Sequence, residues 1–293
     1  MHLKALSELG AEISQEGGTV HCRAEKLRGA QINLDFPSVG ATENLMLAAC
    51  AAEGTTVITN AACEPEIEDL QKFLRAKGAK ISGAGTSVIR IEGFEPREHT
   101  YHTVMPDRIV AATYLCAAAA AGGEIVVENM VPGHISTVLS SLKAMGCGII
   151  NGQESVRIRR FGPLKAAKPV ITKPYPGFPT DAQALLMAAC LKAEGTSVFV
   201  ENIFENRYRH VPELRRMGAD IRTEGRVAMV MGAESLCGAP VNASDLRGGA
   251  ALVIAGLSAE GETRVFDTGH IRRGYENFDS ALRALGADVE LNQ

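Results

Sequence analysis

Two kinds of hydrophobic patterning alternate along this chain. Alanine-rich stretches such as VGATENLMLAAC and RIVAATYLCAAAAA carry small apolar residues on every side, which predicts helices packed closely and buried all round. Short β-branched stretches such as VIRIEG alternate apolar and polar residues and predict half-buried strands. The two kinds recur in a fixed order. A helix-ending signature occurs at LGAE, KGAK, MGCG, MGAD and LGAD, with its glycines at 10, 78, 146, 218 and 286 and spacings of 68, 68, 72 and 68 residues. Each glycine follows apolar residues at helical spacing, such as Leu70, Phe73 and Leu74, and predicts a left-handed helix stop. In register with these stops, an alanine-rich helix runs through a glycine turn into a strand at AACAAEGTTVITN, AAAAAGGEIVVEN, AACLKAEGTSVFVEN and IAGLSAEGETRVFD. Each unit thus reads helix, glycine turn, strand, loop, helix, Gly-Ala stop, strand, turn, strand.

A period of about 69 residues exceeds that of the solenoids, so the units are expected to pack around shared helices as an α/β (α+β) fold. No Pro-, Gly- or Ser-rich linker separates them, which argues against independent tandem domains. The first signature comes too early for a whole unit. Leu3, Leu6 and Leu9 read as the apolar face of a second helix whose first helix is absent, so the chain is expected to start in the middle of a unit.

Composition narrows the function classes. The 293 residues are 46% hydrophobic and 22% charged, enough apolar surface to bury and too little net charge to prevent collapse. A net charge of −4, no tryptophan and 5% aromatics argue against a general nucleic-acid binder. The longest nearly apolar run, Val110 to Ala121, is shorter than the roughly 18 residues of a membrane span, and MHLKALSELG lacks the layout of a signal peptide. Seven scattered cysteines, odd in number and without a C-x-x-C pair, make neither a disulfide framework nor a zinc site. These features predict a cytoplasmic protein, with Cys50, Cys116 and Cys190 as small core residues of the alanine-rich helices. His99 and His102, a single close pair in EHTYH, carry no metal expectation.

Candidate chemistry lies at the helix starts and the loops. The alanine-rich helices open on capping residues: Ser38, Asp107, Thr180 or Asp181, and Ser244 or Asp245. If the units repeat in space, these N-termini gather and favour an anionic ligand. The loops before the second helices break the symmetry. ENIFENRYRHVPEL and DTGHIRRGYENF place Arg207, Arg209, His210, His270, Arg272 and Arg273 at equivalent positions. Arginine's fork pairs with carboxylate or phosphate at two points, so the cluster suggests a substrate bearing both groups.

The stretches FPSVGATENLMLAA, EPEIEDLQKFL, MPDRI, GFPTDAQA, FENRYRHVPELRRMGA, ASDLRGGAALVIAGL and HIRRGYE resemble, in order and across essentially the whole chain, the UDP-N-acetylglucosamine 1-carboxyvinyltransferases, a family of enolpyruvyl transferases. The resemblance implies two domains of inside-out α/β barrel repeats, the first incomplete: residues 1–103 hold about one and a half units and 104–293 hold three. It implies transfer of enolpyruvate from phosphoenolpyruvate to the 3'-hydroxyl of UDP-N-acetylglucosamine with release of phosphate, the step that opens peptidoglycan synthesis and hence cell-wall biogenesis. No metal or organic cofactor is implied, nor a nucleic-acid or membrane partner, and the full-length enzyme is expected to be a monomer. By the same resemblance Asp181 contacts the sugar and acts as base toward the 3'-hydroxyl. The backbone of Ile203 touches the sugar nucleotide. Arg247 and Arg273 hold phosphoenolpyruvate, with Arg207 close by. Phe36, Pro37, Ser38 and Val39 line the uridine pocket, where Ser38 and Val39 offer backbone N–H groups.

The family's lysine-asparagine pair, its first phosphate-binding arginine and its loop with the catalytic cysteine all precede the equivalent of Met1. Cys63, in AACEPE, is the one cysteine in a loop, and its surroundings are unlike that loop. Six units of the observed period make roughly 414 residues, so the length of 293 predicts a truncated enzyme lacking the front of its first domain and doubtful in activity. Two alternatives are a shortened, non-catalytic sugar-nucleotide-binding paralogue and a 3-phosphoshikimate 1-carboxyvinyltransferase. FENR and HIRRGYE weigh against the second.

Overall fold

The small residues of the alanine-rich segments form helices that are buried nearly all round, and the β-branched segments form the sheets beside them. A computed structural model of the chain describes residues 1–291. The chain divides into two compact units, Met1–Met105 with Pro174–Pro176, and Pro106–Lys173 with Gly177 onward. Each has its own hydrophobic core.

In the first unit, helix α1 (His2–Glu8) leads into the antiparallel hairpin of β1 (Glu12–Glu16) and β2 (Thr19–Arg23). There follow β3 (Gln31–Asn33), α2 (Val39–Cys50), β4 (Thr55–Thr59), α3 (Pro65–Lys77), β5 (Lys80–Ser82) and β6 (Val88–Glu92). Their sheet has the order β3-β4-β6-β5, with β3 and β4 parallel and the other pairs antiparallel. On α1 the fully buried residues are Ala5 and, at its C-cap, Leu9, while Leu3 and Leu6 lie half-buried beside them.

The second unit contains α4 (Arg108–Ala121), β7 (Gly123–Glu128), α5 (Ser136–Ala144), β8 (Gly148–Asn151), β9 (Ser155–Arg160), β10 (Val170–Ile171), α6 (Thr180–Cys190) and β11 (Thr196–Val200). It continues through α7 (Val211–Arg216), β12 (Asp220–Glu224), β13 (Val227–Met231), β14 (Pro240–Asn242), α8 (Leu246–Gly256), β15 (Arg264–Phe266) and α9 (Phe278–Ala284). The sheet β10-β11-β13-β12 repeats the order and directions of the sheet in the first unit. Two partial versions accompany it, β7-β9-β8 and the parallel pair β14-β15. Helices α4, α6 and α8 pack on one another. Alanine allows that approach: Ala112, Ala119, Ala182, Ala184, Ala250 and Ala251 are almost fully buried.

The five glycine stops behave as their pattern predicts. Gly10, Gly78, Gly146, Gly218 and Gly286 all adopt positive φ, between 89° and 109°, where a side chain is strained. The helix starts agree at three of four places. Ser38 accepts from the Ala41 N–H, Asp107 from those of Ile109 and Val110, and Asp245 from those of Arg247 and Gly248. The fourth differs. Helix α6 begins at Thr180 after Pro179 and has no side-chain cap, because Thr180 and Asp181 are engaged elsewhere. Cys50, Cys116 and Cys190 are buried in or at the ends of alanine-rich helices. Among the described residues no helix is long and apolar enough to cross a membrane.

Candidate active site

The polar cluster of the second unit starts from a carboxylate at the end of a strand. Along β11 the inward side chains are Ser197 and Phe199, and the same parity carries Glu201 inward, to 1% exposure. A buried carboxylate is costly unless its oxygens are satisfied. Here Oε1 accepts hydrogen bonds from Thr172 Oγ1 (2.9 Å), the Ile203 N–H (2.8 Å) and the Phe204 N–H (3.0 Å), and Oε2 accepts from Thr180 Oγ1 (2.9 Å). Thr172 Oγ1 in turn accepts the Asn202 N–H at 2.8 Å. One side chain thus ties the end of β10, the loop after β11 and the first residue of α6. The last repeat of the same unit uses the same device: Asp267, following β15, accepts the N–H groups of His270 and Ile271.

With the loop so folded, Arg207 reaches the first turn of α6. Its Nη2 donates to Asp181 Oδ1 at 2.5 Å, and its guanidinium lies 5.2 Å from the centre of the Phe204 ring. Arg247, in the first turn of α8, approaches the other oxygen of Asp181, with Nε 3.8 Å from Oδ2. That Nε–H is buried and has no hydrogen-bond partner. The opposite edge of the guanidinium is fixed, since Nη1 donates to the Tyr275 hydroxyl at 3.0 Å. Asp181 is therefore flanked by two arginines, one hydrogen-bonded to it and the other with a buried donor that has no partner. Half-exposed, at the positive end of α6, this group is suited to hold an anion beside a carboxylate.

His210 lies behind the pair. Its ring is buried, neither nitrogen has a hydrogen-bond partner, and it packs against Gly248, where a Cβ would approach its own to 3.1 Å. Burial pushes its pKa down to about 4; the charge of Arg207 adds to the shift, and Asp245 and the Arg207 backbone oppose it. The imidazole is neutral at pH 7. The unfolded chain protonates its histidine near 6.5 and the folded chain only near 4, so acid favours unfolding as pH falls through that window. Between pH 7 and 4.5 the His210→Leu variant is expected to lose roughly 2–3 kcal/mol less stability than the parent chain, read from urea midpoints. Equal losses in both would show that the ring takes up its proton in the folded state.

Arg273 is exposed in the 3-10 turn Ile271–Arg273, and its side chain makes no hydrogen bond or ion pair among the described residues. Arg209 and Arg272 are also exposed, and His270 is half-buried. Phe36, Pro37, Ser38 and Val39 belong to the first unit and are half-buried at the start of α2. The Ser38 N–H donates to the Phe36 carbonyl at 2.7 Å. Cys63 is half-buried, and burial, then Glu64 and Glu68, push its thiol pKa up, so it holds its proton. His102 pairs with Asp69 at 3.1 Å. No group of three or more His, Cys, Asp or Glu side chains able to hold a metal exists among the described residues.

Comparison with known proteins adds the family. The model of the EPSP synthase (3-phosphoshikimate 1-carboxyvinyltransferase) family matches residues 1–282. UDP-N-acetylglucosamine 1-carboxyvinyltransferase 2 of Caldanaerobacter subterraneus subsp. tengcongensis is 52% identical over 289 residues, which are 99% of this chain and 69% of the relative. The enzyme numbered 2 of Carboxydothermus hydrogenoformans is 52% identical over 292 residues, 99% of this chain and 70% of the relative. Among solved structures, the enolpyruvyl transferase NikO from Streptomyces tendae superposes with a TM-score of 0.85 at 27% identity, covering 98% of this chain and 71% of that one. EPSP synthase from Acinetobacter baumannii shares the fold, with a TM-score of 0.73 at 23% identity and 71% of its own length covered. A family model matching nearly the whole chain, and half-identical relatives covered over more than two thirds of their length, mean that the chain belongs to the EPSP synthase family of enolpyruvyl transferases.

Proposed function

We propose that this chain serves the transfer of enolpyruvate from phosphoenolpyruvate to the 3'-hydroxyl of UDP-N-acetylglucosamine, the reaction that commits the sugar nucleotide to peptidoglycan. The observation that carries the proposal is the Asp181 group, a carboxylate gripped on one oxygen by Arg207 while the buried Nε–H of Arg247 faces the other without a partner. A base and a spare anion donor side by side are what joining a phosphorylated enol to a hydroxyl requires. Asp181 accepts the proton of the 3'-hydroxyl, Ile203 contacts the sugar nucleotide through its backbone, and Arg247 and Arg273 hold the phosphate and carboxylate of phosphoenolpyruvate, with Arg207 close by. The stretch Phe36–Val39 lines the uridine pocket. The half-identical relatives bear the name of this activity, and that favours UDP-N-acetylglucosamine over a phosphorylated shikimate as acceptor.

Residues 1–103 and 104–293 are assigned to the family's two inside-out barrel domains, an arrangement supported by the packing of α4, α6 and α8 on one another with the sheets arrayed beside them. Seven free cysteines suit a reducing compartment, and we place the protein in the cytoplasm, with the full-length enzyme a monomer.

Calorimetric titration tests the reading. UDP-N-acetylglucosamine is expected to bind saturably, and Asp181→Ala to weaken it at least tenfold, about 1.4 kcal/mol, while shikimate 3-phosphate gives no heat. An Asp181→Ala affinity within twofold of the parent chain would remove the carboxylate from the site.

A further inference from the structure

We infer that Tyr275 is a positioning residue that keeps Arg247 open for an anionic ligand by restraining it from closing onto Asp181. The inference rests on the proposed role of Arg247 in holding phosphoenolpyruvate.

A chain of hydrogen bonds carries it. The Thr113 hydroxyl on α4 is fully buried and donates to the Ile109 carbonyl at 2.8 Å. Its single proton is thereby spent, so the 2.8 Å contact between Thr113 Oγ1 and Tyr275 OH is a bond donated by the phenol. The phenol oxygen then accepts the Nη1–H of Arg247 at 3.0 Å. Every proton in the sequence Arg247, Tyr275, Thr113, Ile109 runs in one direction and ends on a backbone carbonyl. Tyr275 is 3% exposed, and its ring stacks on Phe278 at 4.7 Å between centroids. Arg247 lies 5.4 Å from the centre of the same ring. The phenol is held from below and from one face, and it fixes one edge of the guanidinium.

The other edge shows what the restraint does. Arg247 Nε stands 3.8 Å from Asp181 Oδ2, within reach of a salt bridge and beyond a hydrogen bond, and is buried without a partner. A buried unpartnered donor beside a carboxylate pulls the two together, because closing the gap satisfies both. The tether to Tyr275 opposes that closure and leaves the Nε–H for a ligand. Without the hydroxyl, Arg247 gains its missing bond by collapsing onto Asp181, so that the protein's own carboxylate occupies the place of the substrate's.

The test is calorimetric titration of phosphoenolpyruvate into the intact chain saturated with UDP-N-acetylglucosamine, comparing the parent with Tyr275→Phe, Arg247→Ala and the double variant. Tyr275→Phe keeps the ring, its stack and its contact with the guanidinium. It is expected to weaken phosphoenolpyruvate about tenfold, with UDP-N-acetylglucosamine affinity within twofold and the thermal midpoint within a few degrees. Arg247→Ala is expected to weaken phosphoenolpyruvate more than tenfold, and adding Tyr275→Phe to it to cost nothing further, a coupling that a merely structural tyrosine would not give. Loss in Arg247→Ala with parent-like binding in Tyr275→Phe overturns the inference and spares the role of Arg247. Parent-like binding in Arg247→Ala, or no binding by the parent, overturns both.

Discussion

Replacing Gly232 with alanine is expected to unfold the sheet of the second unit. Gly232 follows β13, and a Cβ built there would lie 1.7 Å from the carbonyl oxygen of Ala193 and 2.7 Å from its carbon, inside any non-bonded contact. The backbone cannot simply retreat. The Gly232 N–H donates to the Gly195 carbonyl at 3.1 Å, and the next residue, Ala233, donates to the Leu191 carbonyl at 2.8 Å. Those bonds stitch the end of the strand to the turn that closes α6, so relief of the clash breaks them and lifts β13 from its register with β11. Overpacking by one methylene usually costs about 1–3 kcal/mol, and with rigid backbone on both sides the cost here is expected to exceed 4 kcal/mol. The first unit repeats the arrangement at Gly93, whose Cβ would stand 1.7 Å from the Ala52 carbonyl oxygen, and Gly93→Ala is expected to fail in the same way. Urea unfolding followed by hydrogen exchange locates the damage, in the sheet of β10, β11, β13 and β12 for Gly232→Ala and in that of β3, β4, β6 and β5 for Gly93→Ala. Gly133→Ala is the control, for its Cβ meets nothing within 4 Å and its φ is not positive. An unchanged midpoint in Gly232→Ala would mean that the strand and the turn do not meet.

Much of this architecture is legible in the residues because the chain states it several times. The positive-φ glycines mark the helix ends, and the alanine-rich runs mark the helices that need close neighbours. Reading departs from structure where one unit differs from the others. The start of α6 offers Thr180 and Asp181 as caps by every local rule, yet neither caps, since the first is bound to Glu201 and the second to Arg207. A local preference set aside for a polar cluster is a mark of a functional site. Glu201, Thr113 and Tyr275 are missed when the sequence is searched for charged motifs in loops, because they act from buried positions. A signal for Glu201 exists in the repeat. In the first unit Leu34 follows β3 and Asn60 follows β4; at the equivalent places the other unit has Thr172 and Glu201, a polar pair on an inward parity. For Arg273 no local signal suffices, as its position depends on a turn capped by Asp267 that leaves the side chain exposed.

Glu201 gives the second large effect, and a graded one. Its two oxygens accept four hydrogen bonds, two from hydroxyls that can rotate and two from the N–H groups of Ile203 and Phe204, which cannot. Glu201→Gln keeps the shape. The amide oxygen can stay with Thr172, Ile203 and Phe204, and the amide nitrogen can donate to Thr180, whose hydroxyl turns to accept. Only the charge assistance is lost, so about 1–2 kcal/mol is expected. Glu201→Ala strands the two backbone donors and empties the space between β10, β11 and α6, for about 4 kcal/mol in all. Glu201→Asp, one methylene shorter, cannot span from the loop to Thr180 and is expected to fall between them. The same order should hold for UDP-N-acetylglucosamine affinity, since the loop that presents Ile203 and Arg207 is folded on this carboxylate and the residue after Thr180 is Asp181. Stability from urea midpoints and affinity from calorimetry would then decline together through Gln, Asp and Ala. If alanine cost less than about 1 kcal/mol, water would have to replace the carboxylate at all four donors, and Glu201 would have no hold on the loop.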